Sequence, residues 1–177
     1  MTISEGIAKL DRIEAMLRGG AANIVAGLGA DMCADIADRV INTGQNADGG
    51  TFTPYSTKPV PAFWYRGRSV NAGGEAKIRA AEKKREGVSY RQFREFNGRQ
   101  GAPKNFSFTN AMWRGFGVKN AQFNGTAYVL LIGGKTKDSA DKIEWMAGQE
   151  GKSIIEPNRV ELQRLAKQIT QKILNNG

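Results

Sequence analysis

The chain has 177 residues, 40% of them hydrophobic, which suits one domain of ordinary size with its own core. It has no histidine and a single cysteine, Cys33, which excludes Ser-His-Asp and Cys-His nucleophile systems, Cys/His zinc sites and an intrachain disulfide. The net charge of +9 is unevenly placed: residues 58–119 carry +10, against −3 for residues 1–57 and +2 for residues 120–177.

The N-terminus reads as a helix. Thr2 and Glu5 have capping-box spacing, and Ile3, Ile7, Leu10, Ile13 or Glu14, and Leu17 recur at helical intervals up to Gly19-Gly20. A second apolar stripe, Ile24, Leu28, Met32, Ile36 and Val40, predicts another helix. Asp31, Asp35, Asp38 and Arg39 fall off that stripe, and Thr43-Gly44 closes it. Cys33 lies in this apolar stretch, a place for a small buried hydrophobe.

From Gly44 to about Asn71 the periodicity disappears. Asp48-Gly49-Gly50 signals a turn, and Pro54, Pro59 and Pro61 break any ladder. Phe63, Trp64 and Tyr65 sit beside Arg66 and Arg68. Three adjacent aromatics either fold back onto the core or anchor a neighbouring subunit, since aromatics and arginine are enriched at interface centres. Glu75–Glu86 reads as a charged helix whose one large apolar residue is Ile78. Ser89 and Gln92 begin a short helix that places Tyr90, Phe93 and Phe96 on one face, with Arg91, Arg94 and Arg99 beside them.

Strand signals follow. Phe106 and Phe108 alternate with polar residues, Trp113–Val118 and Ala127–Ile132 are rich in strand formers, and Asn124-Gly125 between them predicts a hairpin ended by Gly133-Gly134. Asp138–Met146 reads as a short helix with Ile143, Trp145 and Met146 buried, and Ser153–Ile155 as a short extended piece. Pro157, Asn158 and Glu161 open a last helix with Leu162, Leu165, Ile169 and Ile173 on its apolar face. The opposite face carries Gln163, Arg164, Lys167 and Gln171, and Lys172 complements the last turn.

The expected fold class is α+β: a small antiparallel sheet, an N-terminal helix or helix pair, a long basic insertion and a C-terminal amphipathic helix. One domain spans residues 1–177, with a basic, loop-rich insertion at 58–105. No N-terminal apolar run reads as a signal peptide, and no stretch nears the ~18 apolar residues of a membrane span. The expectation is a soluble protein made in a reducing compartment. The basic middle segment either meets an anionic partner or is a solvated loop. Lys77, Arg79, Lys83, Lys84 and Arg85 are the candidate contacts to DNA or another anionic partner.

Four stretches taken in order carry a family resemblance. The first runs from Ile41-Asn42-Thr43-Gly44 through Asp48-Gly49-Gly50-Thr51-Phe52-Thr53-Pro54-Tyr55-Ser56. The others are Tyr90–Arg99, Phe106–Val118 with Thr109-Asn110-Ala111-Met112 inside it, and Gly148–Leu174. Together they resemble the neck or tail-completion proteins of tailed bacteriophages. Asn110 stands where that family usually has glycine and Asn158 where serine is common, changes that keep turn and cap chemistry.

The resemblance implies a structural virion protein at the head–tail connector. It would act as a homo-oligomeric ring of six or twelve copies, made in the host cytoplasm, between portal or adaptor and tail proteins. DNA passing through such a neck would touch it weakly, without sequence readout. The candidate assembly interface comprises the Phe63, Trp64, Tyr65, Arg66 and Arg68 cluster and the Tyr90, Arg91, Phe93, Arg94 and Arg99 face. No catalytic residue, metal ligand or cofactor is assigned. A nucleic-acid-binding module built on the basic, aromatic-containing middle segment is the alternative function.

Overall fold

A computed structural model describes residues 21–107 and 109–176, with Ile7, Ala8, Asp11, Glu14 and Ala15 before them. Those five positions are helical and exposed. Thr2, Ile3, Glu5, Leu10, Ile13, Leu17, Gly19-Gly20 and Phe108 lie outside the described residues.

Helix α1 spans Ala22–Thr43 and ends at Gly44, whose φ of 64° is the left-handed turn that glycine takes without a Cβ penalty. Val25, Leu28, Met32, Cys33, Ile36 and Val40 form its buried face, so the stripe runs as the periodicity predicts, with Val25 rather than Ile24 buried at its start. This helix lies across an antiparallel hairpin of β3 (Phe116–Phe123) and β4 (Tyr128–Gly134). Phe116, Val118, Leu130 and Ile132 pack with α1, Phe52, Phe106, Met112, Trp113, Ile143 and Ile154 in the main core.

The hairpin was legible in sequence, but its bounds shift. Trp113 belongs to a short helix, α4 (Ala111–Arg114), whose N-cap Asn110 has a φ of 60°. Phe106 is buried in an irregular segment instead of a strand, and Gly133-Gly134 extend β4 instead of ending it. The Asn124 side chain accepts from the N–H groups of Thr126 and Ala127 and so holds the turn.

Residues 60–97 build a second small core. Strand β1 (Val60–Pro61) pairs antiparallel with β2 (Gly87–Val88), a ladder short enough to end on a proline. A 3-10 turn (Ala62–Tyr65), helix α2 (Ala72–Lys83) and helix α3 (Tyr90–Phe96) complete the unit. Helix α2 starts three residues before the Glu75 that the sequence indicates, capped by Asn71, whose side chain accepts from the Gly74 N–H. Ile78 is fully buried among Ala62, Ala81, Val88 and Phe93. Its transfer out of water contributes about 1.5–3 kcal/mol, which docks a helix that is otherwise polar. Ser89 and Gln92 form the reciprocal capping box read from their spacing.

Helix α5 (Lys137–Glu150) begins at the Thr136 cap and sits on two glycines of the hairpin region. A Cβ on Gly134 would stand 2.6 Å from Ala140 Cα and 2.7 Å from Ser139 C, both backbone atoms that cannot rotate away. Gly134→Ala is therefore expected to lower stability by about 3 kcal/mol, read by urea denaturation. A loss under about 1 kcal/mol would mean that α5 shifts freely on the hairpin.

Helix α6 (Arg159–Asn176) has the expected cap: Asn158 Oδ1 accepts from the Glu161 N–H, and Glu161 Oε2 accepts from the Asn158 N–H. Its apolar face is only partly covered, because Leu162 is exposed while Leu165 packs against the core. The Ile173 side chain lies outside what is described. Residues 153–155 are irregular, with Ile154 buried. The protein is thus α+β, with six helices and two two-stranded antiparallel sheets among the described residues. Among those residues no helix is long and apolar enough to cross a membrane.

Candidate functional site

A partly enclosed concavity lies where residues of the two cores meet. Its floor is Arg94, on α3 and only 1% exposed. Arg94 Nε donates to Gln100 O at 2.8 Å, and Nη2 donates to Asn105 Oδ1 at 2.9 Å and Ser107 O at 2.7 Å. The guanidinium carbon lies 4.1 Å from the centre of the Tyr55 ring, a cation–π contact. The Tyr55 hydroxyl donates to Asn105 Oδ1 and accepts from the N–H groups of Asn105 and Phe106. Burial pushes the Tyr55 phenol above its ordinary value of 10, and the Arg94 charge opposes that rise. The phenol is therefore protonated and available as a donor at neutral pH.

Lys104 forms one wall. Its ammonium lies 5.2 Å from the Phe106 ring centre and 5.8 Å from that of Tyr55, and it pairs with Glu150. Burial pushes the Glu150 carboxyl up, but donation from Lys104 and from the Thr53 N–H outweighs it and leaves the group below its ordinary 4.5. A lowered folded-state value stabilises the protein above the unfolded pKa, and that contribution is lost as pH falls through the folded value. Glu150→Gln should cost about 1.5–3 kcal/mol at pH 7. The gap to wild type should close below pH 4.5, measured by denaturation at a series of pH values. A gap independent of pH would remove the electrostatic account.

Pro54, Ser56 and Tyr90 form the rest of the near rim, and Trp145, Met146 and Gln149 of α5 the far one. The space enclosed is about 320 Å³. On the other side of Trp145 and Met146 lies a second hollow of about 290 Å³, lined also by Phe106, Thr109, Asn110, Ala111, Met112 and Lys142. Trp145, with Phe106 and Met146, lines both hollows and is 60% exposed.

That placement corrects the expectation that Trp145 is buried. The wheel carries the signal: Lys142 and Gln149 flank Trp145 at helical spacing, whereas Ile143 and Met146 form the inward side. Nothing local in the sequence pointed to Asn105, which joins Arg94, Tyr55, Ser107 and Trp113 through side chain and carbonyl.

The ten residues proposed from sequence as an assembly interface separate into three groups. Phe63 and Trp64 project from the 3-10 turn, 57% and 55% exposed. Arg66, Arg68 and Arg91 are also exposed, with Arg66 paired to Glu82 and Arg91 to Glu95. Tyr65 and Tyr90 are half-buried: Tyr65 stacks on Phe93 with ring centres 4.5 Å apart, and Tyr90 meets Tyr55 edge-on at 5.5 Å. Arg99 is partly buried. Phe93 and Arg94 are buried: Phe93 packs in the second core and Arg94 lies beneath the concavity, so neither projects from the surface. The aromatic spacing placed Phe93 on the correct helix face, but that face turns inward.

Of the residues proposed for anionic contact, Lys77 sits 5.7 Å from the Phe96 ring centre and Arg79 pairs with Glu75. Donation from Arg79 and from the Gly67 N–H holds the Glu75 carboxyl below its ordinary value. Lys83, Lys84 and Arg85 are exposed where α2 ends, and none forms an ion pair among the described residues. Among those residues no group of three or more His, Cys, Asp or Glu side chains is placed to hold a metal ion. No family model, curated protein or solved structure matches the chain.

Proposed function

We propose that this chain is a structural subunit of a tailed-bacteriophage virion, a neck or tail-completion protein that assembles as a ring between portal or adaptor and tail. The observation that supports the reading is convergence. The four separate stretches that resemble that family all contribute to the two hollows around Trp145. They do so through Pro54, Tyr55 and Ser56, then Tyr90 and Arg94, then Phe106 and Thr109 to Met112, and finally Gln149. An exposed tryptophan that lines two adjoining hollows is the kind of residue that carries binding energy in protein interfaces. The test is the native mass of the purified protein, alone and mixed with portal and tail components. A closed ring, or a monomer that assembles only with those components, supports the reading. A monomer that ignores them at high concentration overturns it.

A second reading, sequence-independent contact with nucleic acid, is favoured by the exposed Lys83, Lys84 and Arg85 at the end of α2. Such contact releases counterions, so duplex affinity should fall steeply with salt. Weak binding that is flat with salt would remove it.

A further inference from the structure

We infer that the exposed Phe63–Trp64 turn and the basic end of α2 form one surface that binds single-stranded nucleic acid, with bases stacking on the two rings and phosphates meeting the cations. The inference rests on and deepens the nucleic-acid reading above, and it is independent of ring assembly.

The rings are presented to solvent by a fixed turn. Phe63 and Trp64 are adjacent in it, 57% and 55% exposed. Behind them Ala62 is buried, Tyr65 stacks on Phe93, and Arg66 bridges to Glu82 on α2. The turn is thus ordered before any partner arrives, which lowers the entropy lost on binding.

The cations adjoin the rings. Phe63 shares a hollow with Glu82, Arg85 and Glu86, where α2 ends. Glu82 also borders a second hollow, with Arg66, Arg79 and Lys83. One surface therefore runs from the rings across Glu82 to the basic side of α2. Glu82 is matched by Arg66, and Glu75 by Arg79. That leaves Glu86 against Arg68, Lys83, Lys84 and Arg85, all four exposed and none in an ion pair among the described residues. The excess is positive and selects an anion.

Arg85 adds an independent observation. Its φ is 56°, in the left-handed region just past the Lys84 C-cap of α2, where glycine carries no Cβ penalty. An arginine there accepts backbone strain and sets a guanidinium at the edge of the Phe63 hollow. Strain held at an exposed residue points to what its side chain contacts.

The chemistry of the two parts selects the occupant. An acidic peptide satisfies the cations but leaves the rings without a flat partner. A duplex supplies phosphates but keeps its bases stacked on one another. A single strand supplies phosphates and free base faces together, and stacking on aromatics tolerates any sequence.

The test is fluorescence anisotropy with labelled oligo-dT and oligo-U of about 12 nucleotides, a duplex of equal length, and poly-glutamate as competitor. Single strands should bind more tightly than the duplex, with affinity falling as salt rises. Oligo-dT and oligo-U share stackable bases and phosphates, so binding of either supports the inference, and their ratio names the source of the strand. Trp64→Ala and Phe63→Ala should each weaken binding about tenfold, while Trp64→Phe retains most of it. Both rings are exposed, so circular dichroism and melting of these variants should match wild type. Arg85→Gly should reduce the salt slope by about 0.7, the share of one phosphate contact, with melting unchanged or raised.

If single strand and duplex bind alike, or both ring variants bind as wild type does, the stacking surface is wrong while the nucleic-acid reading stands. Displacement of the strand by poly-glutamate at equal charge would overturn the inference in favour of an acidic protein partner. If neither strand nor duplex binds at low salt, the nucleic-acid reading fails and takes the stacking surface with it.

Discussion

Glu161→Ala is expected to lower stability by about 3–5 kcal/mol, the loss typical of breaking a buried ion pair from one side. Glu161 is buried and accepts from Arg39 Nε at 2.8 Å and Nη2 at 3.3 Å. The same carboxylate accepts from the Asn158 N–H at 2.7 Å, so it also caps α6. Arg39 also donates to Gln45 O at 2.7 Å and to Glu156 O at 2.8 Å. One guanidinium thus ties the end of α1, the loop after it and the entry to α6. Alanine removes the countercharge and the carboxylate's bond from the Asn158 N–H together, leaves only the Asn158 Oδ1 half of the cap, and strands the cation partly buried. For a chain of this size the melting temperature should fall by roughly 10 °C or more. Glu161→Gln retains an acceptor for the cap and should recover part of the loss. The comparison is made by urea denaturation and calorimetry. A loss below about 1 kcal/mol would mean that the pair behaves as a solvent-screened surface bridge.

Arg94→Leu is expected to have a comparable effect by a different route. Leucine occupies the apolar part of the site but supplies none of the donors to Gln100 O, Asn105 Oδ1 and Ser107 O. Asn105 Oδ1 keeps the Tyr55 hydroxyl and the Ser107 N–H, so the main costs are the Ser107 O left without that donor, about 1–3 kcal/mol, and the lost Tyr55 cation–π contact. A total near 3 kcal/mol or more is expected. Arg94→Lys keeps the charge but not the planar fork, so it should recover only a fraction. The loss should also be local. Arg94 joins the unit at residues 60–97 to Tyr55, Asn105 and Ser107, so hydrogen exchange in α2 and α3 should accelerate before that in α1. Uniform acceleration across the chain would show that the two cores do not open separately.

The elements legible in the sequence are those whose hydrogen bonds close within a few residues. Gly44 ends α1 because its own φ permits the left-handed turn. Ser89 with Gln92, and Asn158 with Glu161, cap their helices across three residues. Asn124 organises its turn with N–H groups two and three residues on. Such signals need no knowledge of the rest of the chain, and neither does the period of the α1 stripe.

The misread positions depend on distant partners. Arg94 carries a charge that a helix normally leaves in water, yet it is buried because Asn105, Ser107 and the Tyr55 ring surround it with acceptors and a π face. Glu161 reads as a cap residue, and its burial is decided by Arg39, 122 positions away. Phe106 looks like a strand residue but takes a φ of 52° in the segment that the Tyr55 hydroxyl pins from 51 positions away.

Trp145 has the composition of a core residue and the helical phase of a surface one. Its exposure was settled when Ile143 and Ser139 turned α5 onto the hairpin glycines and Met112. The sequence by itself therefore determined the α+β class, the order of most helices and the hairpin, through local backbone satisfaction and apolar period. Only the tertiary structure decided which aromatics and arginines are buried and which stay exposed. Burial belongs to pairs of surfaces, and those surfaces lie far apart along the chain.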